Sequence, residues 1–245
     1  MTEEKKFLED YSMEDYERPS VTTDIVLFRY TEELEVLLIK RKNYPFKDRW
    51  AFPGGFCQPN ETTEQTAKRE LEEETGVKQG YLEQLFFMSE PNRDPRGWIM
   101  SSVYMGCVAM DTKVEAGDDA KEAYWFSVNS LGKALKEKKM ELAFDHNEIF
   151  AKAVARLRNK VKYTNIAFGL LPNEFTMPRV QEVYEGILNR KYSRSYFRTM
   201  IGKRLTPVNK LEEAKEKGRP SELYQLNPDI VVDKDLNKES LEDLF

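Results

Sequence analysis

The chain has 245 residues, 40% of them apolar and 33% charged, with a formal net charge of -5. That length allows one large or two ordinary domains with a real core, and the acidic balance gives no global nucleic-acid signal, so any nucleic-acid surface has to be local. No apolar run approaches the roughly 18 residues of a membrane span, the acidic stretch from Met1 to Ser20 is unlike a signal peptide, and Cys57 and Cys107 lie far apart without a C-x-x-C pattern, which argues against a zinc site and for a reducing, cytoplasmic setting.

In chain order, residues 1–19 read as a flexible N-terminal arm. Thr22 to Tyr30 and Leu34 to Lys40 are rich in β-formers and predict two strands. A polar loop follows from Arg41 to Asp48, and Arg49-Trp50-Ala51-Phe52 leads into Pro53-Gly54-Gly55. The two glycines allow a tight backbone approach with free carbonyls. Tyr81 to Met88 and Trp98 to Ala109 predict further strands. The loop between them carries Arg93 and Arg96, which can grip phosphate or a ribose hydroxyl, or simply decorate an exposed turn. Residues 114–126 read as a loop running into a strand with Trp125 and Phe126 in the core. Helices follow over Ser130 to Lys138 and His146 to Lys162, the second with Ile149, Ala153 and Leu157 at helical spacing. His146 is the single histidine. Its place near a helix start suits a local hydrogen-bonding role, and without it no Ser-His-Asp or Cys-His mechanism can be assembled.

The segment with most chemistry runs from Gly55 to Val77. Thr62 and Gln65 form a capping-box signature and Gly76 supplies the stop, which predicts a helix of about three turns between them. Ala67, Leu71 and Thr75 share the buried side, while Glu70, Glu73 and Glu74 share an adjacent arc. Three like charges on one arc repel unless a divalent cation reverses the sign, and hard oxygen ligands suit Mg2+ or Mn2+. A solvated charged face is the ordinary explanation of an acidic run. The complete pattern of glycine, Glu61, Arg69, Glu70, Glu73, Glu74 and Gly76 at fixed spacing, with the apolar Leu71 and Val77, recurs by chance on the order of once in ten billion start positions.

At these residues the chain resembles the Nudix hydrolases, with every position of the family's box filled. The resemblance implies an α+β fold, a Nudix α/β/α sandwich with a mixed sheet over residues 20–162. It also implies hydrolysis of a nucleoside diphosphate linked to another moiety. By position, the Gly54 carbonyl, Glu70, Glu73 and Glu74 resemble the metal ligands, Arg69 the arginine that orients the glutamates, and Glu61 a supporting acid. Nudix enzymes often take one more acid from a later loop, for which Asp119 and Glu122 are the candidates. The Arg93-Asp94-Pro95-Arg96-Gly97 loop resembles the ADP-ribose-directed branch of the family, which favours Arg93 and Arg96 as substrate-binding residues.

After Tyr163 the character changes. Thr176 and Pro178 open a helix with Val180, Val183, Tyr184, Ile187 and Leu188 on one stripe, and Ser193 caps a second helix. From the second, Phe197, Met200, Ile201 and Leu205 are expected inside, with Ser195, Tyr196, Thr199 and Lys203 outside beside Arg194 and Arg198. Between Gly186 and Leu211 stand seven basic residues (Arg190, Lys191, Arg194, Arg198, Lys203, Arg204, Lys210) and no acidic ones. Leu205 to Leu211 and Glu222 to Leu226 predict a hairpin whose tip carries Lys217 and Arg219. Helix, turn, basic helix and basic-tipped hairpin make a winged helix-turn-helix over 163–229, its second helix suited to a DNA major groove and its wing to phosphates. A helical interaction domain is the alternative. The order also resembles the Nudix-related transcriptional regulators of NAD metabolism, which implies DNA and ADP-ribose as partners and a homodimer. Those regulators carry Lys-Arg-Asn-Phe-Arg at the recognition helix, where this chain has Arg194-Ser195-Tyr196-Phe197-Arg198. Residues 230–245 are acidic and read as a disordered tail.

Two functions follow as expectations. The first is Mg2+-dependent hydrolysis of ADP-ribose to AMP and ribose 5-phosphate. The second is an ADP-ribose-sensing, DNA-binding regulator of NAD or sugar metabolism.

Overall fold

The structure is a computed structural model that describes residues 2–12, 14, 16–78, 81–117, 120–211 and 221–227. Its centre is a six-stranded mixed sheet of β1 (Ser20–Tyr30), β2 (Leu34–Arg41), β3 (Trp50–Ala51), β4 (Tyr81–Met88), β5 (Ile99–Cys107) and β6 (Ala120–Ser127). The order is β3-β2-β1-β5-β4, with β6 also pairing to β2. β1 and β5 run parallel, while the β1–β2, β2–β6 and β4–β5 pairs are antiparallel.

Strand alternation on β1 sorts the core into two layers. Ile25 and Leu27 face α2 (Thr63–Thr75), packing with its Ala67 and Leu71. Val26, Phe28 and Tyr30 face the other way, toward Ile149, Ala153 and Leu157 of α4 (His146–Lys160) and Leu131 of α3 (Val128–Lys136). Helices on both faces of a mixed sheet make the expected α/β/α sandwich.

The arm contains a helix that the sequence reading left out, α1 (Glu3–Asp10), with no buried residue. Thr2 accepts a hydrogen bond from the Lys5 amide, and Glu3 and Glu4 sit in the first turn, where they complement the helix dipole. A helix without an apolar stripe leaves no periodic signal to read.

Beyond a short 3₁₀ stretch, Ile166–Leu170, the chain forms β7 (Phe175–Thr176), α5 (Met177–Leu188), α6 (Arg194–Ile201), β8 (Leu205–Leu211) and β9 (Glu222–Leu226). The small sheet has the order β7-β9-β8. Thr176 caps α5 and Ser193 caps α6 through their side chains, as the sequence predicts. Phe197, Ile201 and Leu205 are buried, but Met200 is 38% exposed and does not join them. It lies beyond the strip of α6 that faces α5. The wing tip with Lys217 and Arg219, and the acidic tail, lie outside the described residues.

The two units share a hydrophobic core. Val180, Val183, Tyr184, Ile187 and Phe197 belong to the same buried cluster as Val26, Phe28 and Leu157.

Candidate functional site

The box helix α2 is fixed at both ends by its own sequence. The Thr62 side chain accepts from the Gln65 amide while the Gln65 side chain accepts from the Thr62 amide at 2.8 Å. At the other end, Gly76 adopts φ 72°, a left-handed conformation that favours glycine, and its N–H donates to the Glu72 carbonyl.

Arg69 is the hub of the helix face. Its Nε and Nη2 donate to the two carboxylate oxygens of Glu61 at 2.8 and 3.0 Å, and its Nη1 donates to Glu70 at 2.7 Å and to Glu73 at 2.9 Å. Nη2 also reaches the Phe56 carbonyl. The guanidinium, aided by the Thr66 hydroxyl and the Gln58 amide, outweighs burial and holds the Glu61 carboxyl down at about 2. Glu74 is buried and accepts a hydrogen bond from the Gly54 N–H at 2.8 Å. The Glu70 carboxylate presses on Gly55 so closely that a Cβ there would overlap it. Two carboxylates therefore bracket the Gly54–Gly55 turn.

Glu73 is set apart, with a side chain 57% exposed against 14% for Glu70. The arc expected from helical spacing is thus graded, from Glu74 inside to Glu73 outside. Among the described residues, no three acidic, histidine or cysteine side chains are gathered as one metal cluster. Arg69 holds Glu70 and Glu73, and Gly54 holds Glu74. The donors are nevertheless hard oxygens on one wall, the chemistry a divalent cation of the Mg2+ type requires.

The same cleft carries basic side chains. Glu70, Glu74 and Gly54 share a cleft of about 400 Å³ with Arg41, Arg93 and Arg96. Arg93 is not an exposed turn residue. Its side chain is 5% exposed, and Nε and Nη2 grip both oxygens of Asp145 at 2.8 and 2.7 Å. Arg96 forms a fork on Asp94, with bonds of 3.0 and 2.6 Å, and lies between the rings of Phe56 and Phe144 at 4.9 and 5.6 Å. Arg41 sits over Phe144 at 4.9 Å, its pKa lowered by burial and by the like charge of Arg96. Its Nε donates to the Pro45 carbonyl. A guanidinium pressed by a like charge gains from a polyanion in the cleft.

Two cleft residues, Asp24 and Arg41, and Asp145, which holds the cleft residue Arg93, were not singled out by the sequence as parts of a site. Asp24, on β1, is buried and accepts from the Ser101 hydroxyl at 2.6 Å and from Arg93 at 3.4 Å. Burial would raise its carboxyl, but His146, Arg93 and Ser101 together hold it near 2. An acid directly before the apolar run Ile25-Val26-Leu27-Phe28, within a predicted strand, was the available signal. Asp145 stands at the start of α4, and Arg41 ends β2; neither carries a local mark.

Glu122 is corrected. It lies in β6, opposite Lys40 on β2, and pairs with that lysine at 2.9 Å. A strand pair on the surface, not a loop, holds it, and it does not line the cleft. Asp119 lies outside the described residues.

On the second unit, Arg194, Ser195, Tyr196, Arg198, Thr199 and Lys203 are all exposed. Tyr196 stacks on Tyr192 at 5.9 Å, and Arg198 donates to the Tyr224 hydroxyl at 3.4 Å. Glu185 organises the turn before α6, accepting from Gln181, the Tyr192 amide and Lys191.

Residues 18–152 match the NUDIX domain, and residues 167–226 match the NrtR DNA-binding winged helix domain. The chain belongs to the Nudix family, in the form that carries a C-terminal winged helix of the NrtR type. It is 35% identical to the ADPR responsive transcriptional repressor NtrR of Acinetobacter baylyi over 227 residues, 91% of this chain and 88% of that one. It is 41% identical to the ADP-ribose pyrophosphatase of Methanocaldococcus jannaschii over 145 residues, 59% of this chain and 78% of that one. The crystal structure of Shewanella oneidensis NrtR complexed with a 27mer DNA superimposes with a TM-score of 0.72 at 32% identity, covering 85% of this chain and 94% of that one.

Proposed function

We propose that the cleft hydrolyses ADP-ribose to AMP and ribose 5-phosphate with Mg2+ or Mn2+. The observation that carries this reading is the gathering of acidic and basic side chains in one cleft. Glu70 and Glu74 bracket the Gly54–Gly55 turn, and Arg41 and Arg96 line the same cleft. Glu70, Glu73, Glu74 and the Gly54 carbonyl are the residues that would hold the cation. Once bound, it supplies Lewis-acid polarisation of the diphosphate and activation of water. Arg96 and Arg41 bind the diphosphate charge. Arg69 orients Glu70 and, through Glu61, ties the helix to the loop before it. Arg93, saturated by Asp145, shapes the cleft wall instead of gripping phosphate as a free fork.

The test is incubation with ADP-ribose and Mg2+ followed by separation of the products. AMP and ribose 5-phosphate in equal amounts support the reading. Intact ADP-ribose after prolonged incubation overturns it.

A second reading has its own observation. Helix α6 presents Arg194, Tyr196 and Thr199 to solvent, Lys203 is exposed in the 3₁₀ turn that follows it, and their unit shares a core with the cleft-bearing one. We infer a DNA-binding regulator that senses ADP-ribose, acting as a homodimer in the cytoplasm on paired half-sites. Among the described residues no helix is long and apolar enough to cross a membrane. Retardation of the gene's own promoter DNA that weakens with salt and shifts with ADP-ribose supports this reading, and absence of retardation counts against it.

A further inference from the structure

After Thr23, the single histidine is the least exposed polar residue of the cleft wall. His146 is 2% exposed and stands at the first position of α4. Its Nδ1 accepts the Phe52 N–H at 2.9 Å, and its Nε2 faces Asp24 Oδ1 at 3.3 Å. A ring nitrogen that accepts an amide proton carries none of its own, so the proton of this imidazole is on Nε2, where it donates to Asp24. The ring also stacks on Phe52, with centroids 5.3 Å apart and planes at 27°.

Phe52 begins the turn Phe52-Pro53-Gly54-Gly55, whose last two residues touch Glu74 and Glu70. Pro53 has no N–H, and the Gly54 N–H is taken by Glu74, so the Phe52 amide is the donor that anchors the entry to the turn. The turn is held to β1 by two further bonds, from the Thr23 amide to the Gly55 carbonyl and from the Ile25 amide to the Pro53 carbonyl, both 2.9 Å. Asp24 lies between those two residues on β1. It is itself fixed by Ser101 on β5 and by Arg93, and Arg93 is clamped by Asp145, the neighbour of His146. The start of α4 therefore grips both the turn and the arginine loop.

We propose that His146 is a positioning residue for the proposed hydrolysis. It sets the Phe52–Gly55 turn against Glu70 and Glu74 without touching substrate. The inference rests on the cation-holding role proposed for that turn. Loss of the Nδ1 acceptor leaves the Phe52 amide buried and unpaired, and the turn shifts to reach another acceptor. A small displacement of a reacting arrangement costs up to about 100-fold in rate.

His146→Asn, His146→Gln and His146→Ala separate this from simple packing. The Asn amide oxygen falls where Nδ1 was and restores the acceptor for Phe52. The Gln amide reaches toward Asp24 but does not accept from Phe52. The expected result is a kcat for ADP-ribose reduced about 10- to 100-fold in Gln and Ala, with KM changed by less than about threefold, and a substantial recovery of kcat in Asn. Mn2+ titration of the full chain by electron paramagnetic resonance, without substrate, should follow the same order. Equal losses in Asn and Gln overturn the proposal, and so does a rise in KM at constant kcat, which would make the ring a direct substrate contact. If Ala does not fold, the Asn and Gln pair still decides. If the natural chain releases no AMP, the hydrolase reading fails, and the Mn2+ affinities alone decide the role of His146.

Discussion

Gly186, inside α5, lies against the phenol of Tyr30 at the end of β1, so close that a Cβ would overlap the ring and its oxygen. The contact joins the basic unit to the central strand of the sandwich. Tyr30 cannot easily yield, because Arg179 covers its ring at 5.2 Å and donates to the Tyr30 and Thr31 carbonyls. In a free helix, alanine is favoured over glycine by about 1 kcal/mol. Overpacking a core costs about 1–3 kcal/mol. Gly186→Ala is therefore expected to destabilise, or to lift α5 off the sheet. Urea unfolding checks it, and a variant more stable than the natural chain would show that the gap is roomier than described. The shared core also predicts one cooperative unfolding transition for both units.

Arg69 bridges three glutamates, and one ammonium cannot copy its fork. Arg69→Lys is expected to lower kcat about 10- to 100-fold, the range found when groups that orient metal-binding side chains are removed. Steady-state kinetics with Mg2+ varied will register the change as a weaker apparent affinity for the cation. Unchanged cation dependence would place Arg69 outside the machinery.

The pH dependence of folding has a definite sign at Asp24. Its carboxyl falls from the usual 3.8 to about 2 in the folded chain, against the effect of burial, through His146, Arg93 and Ser101. A depressed acid stabilises the fold above its unfolded value, and that contribution is lost as pH falls from near 4 toward 2. The shift corresponds to about 2 kcal/mol. Denaturant curves at stepped pH should show this loss in the natural chain, with a shallower slope in Asp24→Asn. Identical slopes would remove Asp24 from the account.

What could be read from the sequence depended on distance along the chain. The Thr62–Gln65 box and the Gly76 stop lie within one helix, so their residues declare themselves. The caps at Thr176 and Ser193 do so for the same reason. The clamp of Arg93 on Asp145 joins residues 52 apart, and the bond from Phe52 to His146 joins residues 94 apart. No local pattern marks such partners, so the residues alone left Arg93 divided between a phosphate grip and a bare turn, and only the family resemblance favoured the grip. Glu122 was misplaced because an acid beside a predicted loop gives no hint of Lys40 across the strand pair.

For DNA, the exposed residues of α6 and of the 3₁₀ turn after it predict separable effects. Arg194→Ala and Lys203→Ala should each weaken binding at all sequences and lower the slope against log salt by about 1 if the side chain meets phosphate. Tyr196→Ala, lying between them at 58% exposure, should change preference among sequences more than the salt slope. Retardation assays at several salt concentrations separate the two, and variants with natural affinity would move the DNA surface away from α6.

The proposed hydrolysis depends on the buried Glu74, bonded to the Gly54 amide, as part of the reacting centre. Its most direct test is AMP release from ADP-ribose with Mg2+, compared between the natural chain and Glu74→Gln. The amide keeps the size of the carboxylate but not its charge. Rapid release is expected from the natural chain, with a loss on the order of 10³-fold or more in the variant. Near-normal turnover in Glu74→Gln would contradict it.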